Sequence, residues 1–131
     1  MFENEISKHI VDAAFRIHTT LGPGLYESVY QVTLEHELKK RGLSFDRQRP
    51  IPVIYEQIRL AKGFRADFIV EDKVIIELKS VEVTALVHRK QLLTYLRLAD
   101  KRLGLLINFN VNLIKDGISR VVNALPEWDG R

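Results

Sequence analysis

A predicted β-hairpin at residues 65–80, RADFIVEDKVIIELKS, restricts the possible folds of this chain more than any other segment. Two apolar runs, at residues 66–70 and 74–78, flank a polar triplet at residues 71–73. Apolar runs separated by a short polar loop are typical of two antiparallel strands. Because both runs are almost entirely apolar, we expect the hairpin to lie inside a sheet that is covered on both faces.

The loop length decides which side chains of the hairpin face each other. With three loop residues, the opposed pairs are Val70 with Val74, Asp67 with Glu77, and Arg65 with Lys79. Because side chains alternate along a strand, Lys79 then shares a face with Glu77. A loop with an even number of residues would turn Glu77 away from Asp67, so the register is a testable prediction.

Periodic apolar residues predict three helices. Spacings of three and four residues indicate helices at residues 4–20, 27–41 and 84–99. Asn4 is the expected N-cap of the first helix, and Gly42 is expected to end the second. The expected buried stripes are Tyr30, Leu34 and Leu38 in the second helix and Leu86, Leu93 and Leu96 in the third, where His88, Gln91 and Tyr95 share an adjacent face.

Extended segments account for most of the remaining chain. Two prolines exclude a helix at residues 43–55 and suit an edge strand or a bulge, and residues 58–63 are expected as a short strand or loop. Residues 103–109 are almost uninterruptedly apolar, as in a strand buried on both faces, and residues 118–122 follow as a last strand before a tail at 125–131. The order of helix, helix, three strands, helix and two strands predicts one α/β domain over residues 1–131, with a mixed central sheet flanked by helices.

Composition limits the chemistry that is available. The 131 residues contain no cysteine, which excludes disulfides and thiolate zinc sites. A formal net charge of +3, from 20 basic and 17 acidic residues, is only a weak indication of a polyanionic partner. The acidic N-terminus does not have the pattern of a signal peptide, and no stretch is long and apolar enough to span a membrane. We therefore expect a soluble, cytoplasmic protein.

Asp67 and Glu77 are the strongest candidates for a functional site. Two carboxylates opposed across a hairpin, about 5 Å apart at Cβ, repel each other unless a positive charge lies between them. Carboxylate oxygens suit Mg²⁺ or Mn²⁺, and the backbone carbonyl of Leu78 would add a ligand. Lys79 would then orient or deprotonate a water that attacks a phosphate. The alternative is a purely structural salt-bridge ladder in which Arg65 and Lys79 neutralise the two carboxylates on a solvated sheet face.

The wider sequence resembles a known enzyme family. Residues 24–30, GLYESVY, match G-x-x-E-x-x-Y, the signature of the GxxExxY proteins of the PD-(D/E)XK nuclease superfamily. The superfamily pattern is a helical Glu, then Asp, then Glu-x-Lys, followed in its exonuclease-like branch by Gln-x-x-x-Tyr. The matching residues, in this order, are Glu27, Asp67, Glu77, Lys79, Gln91 and Tyr95. The resemblance covers nearly the whole chain and implies a restriction-endonuclease-like core.

The resemblance also implies a function. It indicates Mg²⁺- or Mn²⁺-dependent hydrolysis of a phosphodiester in nucleic acid, with DNA as the expected substrate. Asp67 and Glu77 would hold the metal, Glu27 would reach it directly or through water, and Lys79 would lie beside the attacking water. The candidate substrate-binding residues are Gln91, Tyr95, Tyr30, Arg65 and His88.

Simpler structural explanations remain open for several of these residues. Glu27 in the first turn of its helix complements the helix dipole, Tyr95 fits a hydrophobic core, and a lone helical His88 is commonly structural. Phe64 and Tyr26 are near enough to the site to stack on a base, but we expect both residues to lie in the core. Phosphate contact and a solvated helix face explain equally well the basic residues on and after the third helix, which are Arg89, Lys90, Arg97, Lys101 and Arg102.

A second class of function is also open. A catalytically silent module that binds nucleic acid or protein would keep the same fold and need not cleave its partner. The small size of the domain favours this alternative modestly, since little surface is available to grip a duplex. A homodimer or a partner protein would supply the missing surface.

Overall fold

The chain follows the predicted order of helix, helix, three strands, helix and two strands, in a computed structural model that describes residues 1–126. The helices in this range are α1 (Glu3–Leu21), α2 (Glu27–Lys40) and α3 (Leu86–Ala99), and the strands are β1 (Phe45–Tyr55), β2 (Ile58–Val70), β3 (Val74–Lys79), β4 (Leu103–Asn108) and β5 (Ile118–Val122). A 3₁₀ turn at Ile114–Gly117, which the sequence patterns missed, precedes β5. Most of the predicted tail lies outside the described residues.

The strands of residues 1–126 form one mixed sheet in the spatial order β1-β2-β3-β4-β5. The neighbours β3 and β4 are parallel and are connected through α3, whereas the other neighbouring pairs are antiparallel. The predicted mixed α/β architecture is therefore confirmed. As the prolines indicated, β1 is an edge strand, and its register shifts between Ile51 and Val53. Residues 58–63 are not a separate short strand or loop, because they form the first half of the 13-residue strand β2.

The predicted three-residue hairpin loop between β2 and β3 is confirmed. Val70 pairs with Val74, and Lys73 N donates to Val70 O at 3.0 Å across the turn. The ladder ends at the pair Phe68 and Ile76, after which the two strands diverge. The expected pairing of Arg65 with Lys79 is therefore wrong. Arg65 instead lies opposite Pro50, because β2 continues along β1.

Helix ends agree with the sequence in one case and differ in another. Gly42 follows α2 with φ 72°, and its N–H donates to Lys39 O, so the predicted helix end is confirmed. Asn4 is not a cap, because α1 begins at Glu3 with Phe2 in the N-cap position. The Asn4 side chain accepts a hydrogen bond from Arg120 instead.

Two hydrophobic cores lie on opposite faces of the sheet. The first lies under α1 and α2 and includes the predicted stripe of Tyr30, Leu34 and Leu38, and the second lies under α3. The stripe predicted for α3 needs correction, because Leu86 is 66% exposed and the fully buried residues are Leu92 and Leu96. Leu92 packs directly over Gly104 of β4, where an added Cβ would lie 2.9 Å from Leu92 Cγ. No helix in residues 1–126 is long and apolar enough to cross a membrane.

Candidate active site

Asp67 and Glu77 meet where β2 diverges from β3. The N–H of Asp67 donates to Glu77 Oε2 at 2.8 Å, and the N–H of Leu78 donates to Asp67 Oδ2 at 2.8 Å. Each carboxylate is thus held by a backbone donor on the opposing strand. The predicted proximity of Asp67 and Glu77 is confirmed, although the two residues lie just beyond the last paired position of the β2–β3 ladder.

The alternation of side chains along β2 is interrupted at Asp67. Phe68 packs in the first core and Ile69 in the second, yet Ala66 also packs in the second core. Regular alternation would place Ala66 and Ile69 on opposite faces of the strand. The interruption places Asp67 where it contacts both the end of β3 and the side chain of Gln31 on α2.

Burial and mutual repulsion raise the pKa values of the carboxyl groups at this site. Burial raises the pKa of Glu77 to about 8, and the neighbouring charge of Asp67 contributes, with a smaller contribution from Glu27. Burial also raises the pKa of Asp67, against the effect of the Leu78 N–H and the Lys79 charge. The pKa of Glu27 is raised by burial and by Asp67, while Lys79 and the Ser80 backbone oppose the change. These are the conditions under which a bound cation would be favourable.

The donor chemistry of this site fits a hard divalent cation. Asp67 and Glu77 offer adjacent carboxylate oxygens, the ligand type that Mg²⁺ and Mn²⁺ prefer. Among residues 1–126, no group of three or more His, Asp or Glu side chains converges closely enough to form a metal site by itself. The pair therefore fits a site completed by water. Glu27 lies within electrostatic reach of Asp67 and Glu77, and its role as a direct or water-mediated ligand stays a prediction.

Lys79 is the last residue of β3 and is half-buried. Its carbonyl accepts a hydrogen bond from Phe109 N at 3.0 Å, which ties the end of β3 to the end of β4. The ammonium group opposes the rise in the pKa values of Asp67, Glu77 and Glu27, so it lies within electrostatic reach of all three carboxylates. A cation therefore lies within electrostatic reach of the carboxylate pair, as the hairpin pattern predicted.

The family comparison agrees with this geometry. A family model described as PD-(D/E)XK nuclease superfamily matches residues 4–121. The chain belongs to the PD-(D/E)XK nuclease superfamily. No curated protein and no solved structure matches the chain significantly. Membership indicates a nuclease-like function, an interaction with nucleic acid, and the divalent metal that enzymes of this superfamily usually require.

The three candidate residues on α3 are Tyr95, His88 and Gln91, and the first two contact other residues of this superfamily member. Tyr95 is half-buried and stacks on Phe64, with ring centroids 3.9 Å apart. Burial raises the pKa of Tyr95, and the charges of Glu77 and Asp67 add to this effect, so the phenol lies near the carboxylates. His88 Nδ1 accepts a hydrogen bond from Ala85 N, the residue that caps α3. Gln91 is exposed.

Tyr30 has a structural role that excludes the predicted substrate contact. Its side chain is fully buried and stacks on Phe109 at 4.3 Å. Its hydroxyl donates to Gly22 O at 2.7 Å and accepts from Leu25 N at 3.3 Å. The tyrosine of the G-x-x-E-x-x-Y segment thus holds the loop that leads into α2 and sets the position of Glu27.

The predicted aromatic contacts are only partly as expected. Tyr26 is 83% exposed, so the expectation of a core position is wrong for this residue. Phe64 packs partly against the second core, where one face of its ring is covered by Tyr95. Tyr26 therefore remains the more accessible candidate for stacking on a base.

The basic residues at and after α3 fall into two groups. Lys101 pairs with Asp72, and Arg102 pairs with the buried Glu3, each with an N–O distance of 3.1 Å. These two residues stabilise the fold. Residues with exposed side chains that remain candidates for phosphate contact are Arg65 on β2 and Arg89, Lys90 and Arg97 on α3.

Sequence reasoning missed two glutamines that contact Asp67. Gln31 Nε2 and Gln48 Nε2 each lie 3.4 Å from Asp67 Oδ1. Gln31 follows Glu27 by four residues, which places both on one side of α2, and this spacing was an available signal. Gln48 offered none, because its proximity to Asp67 depends on the register of β1 on β2, in which Arg47 pairs with Phe68 and Arg49 with Ala66.

Proposed function

We propose that the chain is a metal-dependent phosphodiester hydrolase that acts on nucleic acid, with DNA as the substrate. Within the superfamily, we assign it to the GxxExxY proteins on the basis of residues 24–30. The observation that carries the proposal is the reciprocal pairing of Asp67 and Glu77 at the divergence of β2 and β3, with Lys79 beside them. We predict a cytoplasmic location, which cell fractionation tests.

Asp67 and Glu77 are the residues that would hold Mg²⁺ or Mn²⁺. Glu27 would act through a metal-bound water, and the carbonyl of Leu78 is a further oxygen candidate. The metal, when bound, supplies Lewis-acid activation of water and neutralisation of phosphate charge. The chain itself supplies oriented carboxylates, because backbone N–H groups hold one oxygen of each.

Lys79 would position the attacking water or accept its proton. An ammonium beside buried carboxylates also attracts the phosphate and offsets the negative charge of the site. Proton acceptance requires the neutral amine, whereas positioning and charge neutralisation require the ammonium form.

Substrate contacts are assigned to the exposed and half-buried groups around the carboxylates. Tyr95 and Gln91 on α3 would contact the nucleic-acid backbone, with Arg65 on β2 and the Nε2 atom of His88 as further contacts. The exposed arginines and lysine of α3 extend this surface. Contacts from these groups to phosphate position the substrate without reading its sequence.

A specific observation favours a second candidate, a binding module without catalytic turnover. Asp67 and Glu77 already accept backbone hydrogen bonds, and the described residues contain no three-ligand cluster. Such a module would bind nucleic acid or a protein partner and would retain the fold. A homodimer would provide the additional binding surface.

A nuclease assay separates the two candidates. Wild-type protein is incubated with linear and circular, single- and double-stranded DNA and with RNA, in Mg²⁺, Mn²⁺ or EDTA. The enzyme proposal predicts metal-dependent cleavage that falls at least about 100-fold in Asp67→Ala and Lys79→Ala. The matched control is Lys62→Ala, which removes an exposed lysine of β2 and should cleave as wild type.

The binding-module candidate predicts a different outcome. Folded wild-type protein would then cut no substrate under any condition, and Lys79→Ala would leave binding of nucleic acid or a protein partner in place. Cleavage that persists in both Asp67→Ala and Lys79→Ala would contradict the assigned site.

A further inference from the structure

A chain of polar side chains links α2 and β1 to Asp67. Gln48 Nε2 donates to Gln31 Oε1 at 2.7 Å, and Arg47 Nη2 donates to the same oxygen at 3.3 Å. Arg47 is held in turn by Glu35, with an Nη1–Oε1 distance of 2.7 Å. The amide nitrogens of both glutamines then face Asp67 Oδ1 at 3.4 Å.

The network leaves little freedom to the amide of Gln31. Its oxygen is the acceptor for two donors, so its nitrogen must point away from them and toward Asp67. Gln31 is also buried, at 9% exposure, which makes an unpaired amide unfavourable. The side chain is therefore oriented by its neighbours before any ligand binds.

Gln48 adopts a backbone conformation that non-glycine residues rarely adopt. Its φ is 57°, and it lies between the paired residues Arg47 and Arg49 of β1. Strained backbone positions cluster at functional sites, where the surrounding structure maintains them. Here the irregular backbone at Gln48 lies beside Asp67, where the alternation of side chains along β2 is also interrupted, and the Gln48 amide faces the Asp67 carboxylate.

We propose that Gln31 and Gln48 are positioning residues for the metal-binding carboxylate of Asp67. The Leu78 N–H holds Oδ2, and the two amides hold Oδ1, so the carboxylate is restrained at both oxygens. Each carboxylate oxygen has two acceptor positions. The two amides occupy both positions of Oδ1, whereas Oδ2 accepts one hydrogen bond and keeps one position for a metal. This inference rests on the proposed metal-dependent function, and it adds a polar layer that the sequence motif does not contain.

The test measures Mn²⁺ affinity by electron paramagnetic resonance at a temperature at which every variant is folded. Gln31→Leu and Gln48→Gly remove one amide each, and glycine suits the φ of Gln48. Gln57→Ala, in the turn between β1 and β2, is the exposed control. We expect the Kd for Mn²⁺ to rise about 10- to 100-fold in the first two variants and to stay unchanged in the control.

A further variant separates a positioning role of Gln48 from a merely structural one. Gln48→Asn keeps an amide and tolerates positive φ, so partial recovery of Mn²⁺ affinity relative to Gln48→Gly supports positioning. If Gln31→Leu does not fold, Gln48→Gly decides alone. A lower Tm with wild-type Mn²⁺ affinity would mean a merely structural network and would overturn the inference while the proposed function stands. Absence of Mn²⁺ binding and cleavage in wild type would overturn the proposed function, and the inference with it.

Discussion

Replacing Glu77 by glutamine should stabilise the metal-free protein at neutral and alkaline pH, although it removes a residue of the proposed catalytic site. Burial and the charge of Asp67 raise the Glu77 pKa from 4.5 to about 8. Below pH 4.5 the carboxyl is protonated in both folded and unfolded states. Between these pKa values the unfolded chain releases the proton while the folded protein keeps it, so stability falls as pH rises.

The magnitude follows from the two pKa values. A difference between 4.5 and about 8 corresponds to roughly 5 kcal/mol once the pH exceeds both values. We expect Glu77→Gln to raise the free energy of unfolding by about 2–4 kcal/mol at pH 8. This is less than the full amount, because desolvation of the glutamine amide offsets part of the gain. For a chain of this length, that gain corresponds to a rise in Tm of about 5–15 °C. At pH 4 the two proteins should be nearly equal in stability.

The assay is urea unfolding followed by circular dichroism between pH 4 and pH 9 in EDTA. Glu35→Gln is the control, because Arg47 and Lys39 lower the pKa of Glu35. That variant should be slightly less stable than wild type near neutral pH, and the difference should shrink as the pH falls. Adding Mg²⁺ at pH 8 should stabilise wild type more than Glu77→Gln. A Glu77→Gln protein that is less stable than wild type at pH 8, or whose gain does not change with pH, would refute the electrostatic reasoning.

Three further variants test contacts that stabilise the fold. Tyr30→Phe should lower the free energy of unfolding in urea by about 1–2 kcal/mol and weaken Mn²⁺ binding, because the tyrosine hydroxyl holds the loop before Glu27. Unchanged Mn²⁺ affinity would argue against a link between this loop and the metal site. Gly63→Ala should lower the free energy of unfolding by about 1–3 kcal/mol, because its Cβ would overlap Val53 Cγ2. A Gly63→Ala/Val53→Ala double variant whose loss is no smaller than the sum of the two single losses would exclude this clash. Arg102→Met should lower the Tm, because it leaves the buried Glu3 without its arginine partner, and equal thermal melting of variant and wild type would contradict this.

The predicted catalytic hairpin could be read from the sequence because its geometry is local. Only the three loop residues separate Val70 from Val74, so the hairpin brings Asp67 close to Glu77 even though the ladder ends just before them, at Phe68 and Ile76. Lys79 follows from the alternation of side chains along a strand. The prediction for Arg65 failed because it assumed that the β2–β3 ladder continues, whereas β2 exchanges that partner for a longer ladder with β1.

The buried face of α3 could not be read in the same way. Leu86, Leu92, Leu93 and Leu96 are similar side chains at helical spacings, and apolar periodicity does not rank them. Leu92 is buried because Gly104 on β4 leaves space for it, and that partner is distant in the sequence. Burial of one stripe instead of another was therefore decided by the surface of the sheet.

The sequence by itself determined the order of elements, the mixed α/β class and the proximity of Asp67 and Glu77, because these depend on periodicity, turn residues and a three-residue loop over short distances. Only the tertiary structure decided what surrounds Asp67. Gln31 and Gln48 reach it from a helix and an edge strand, through an interruption of β2 and a backbone conformation at Gln48 that local sequence does not predict. Contacts of this kind form only after the two layers have packed, because the packing energy of the whole domain maintains a conformation that the isolated segment would avoid.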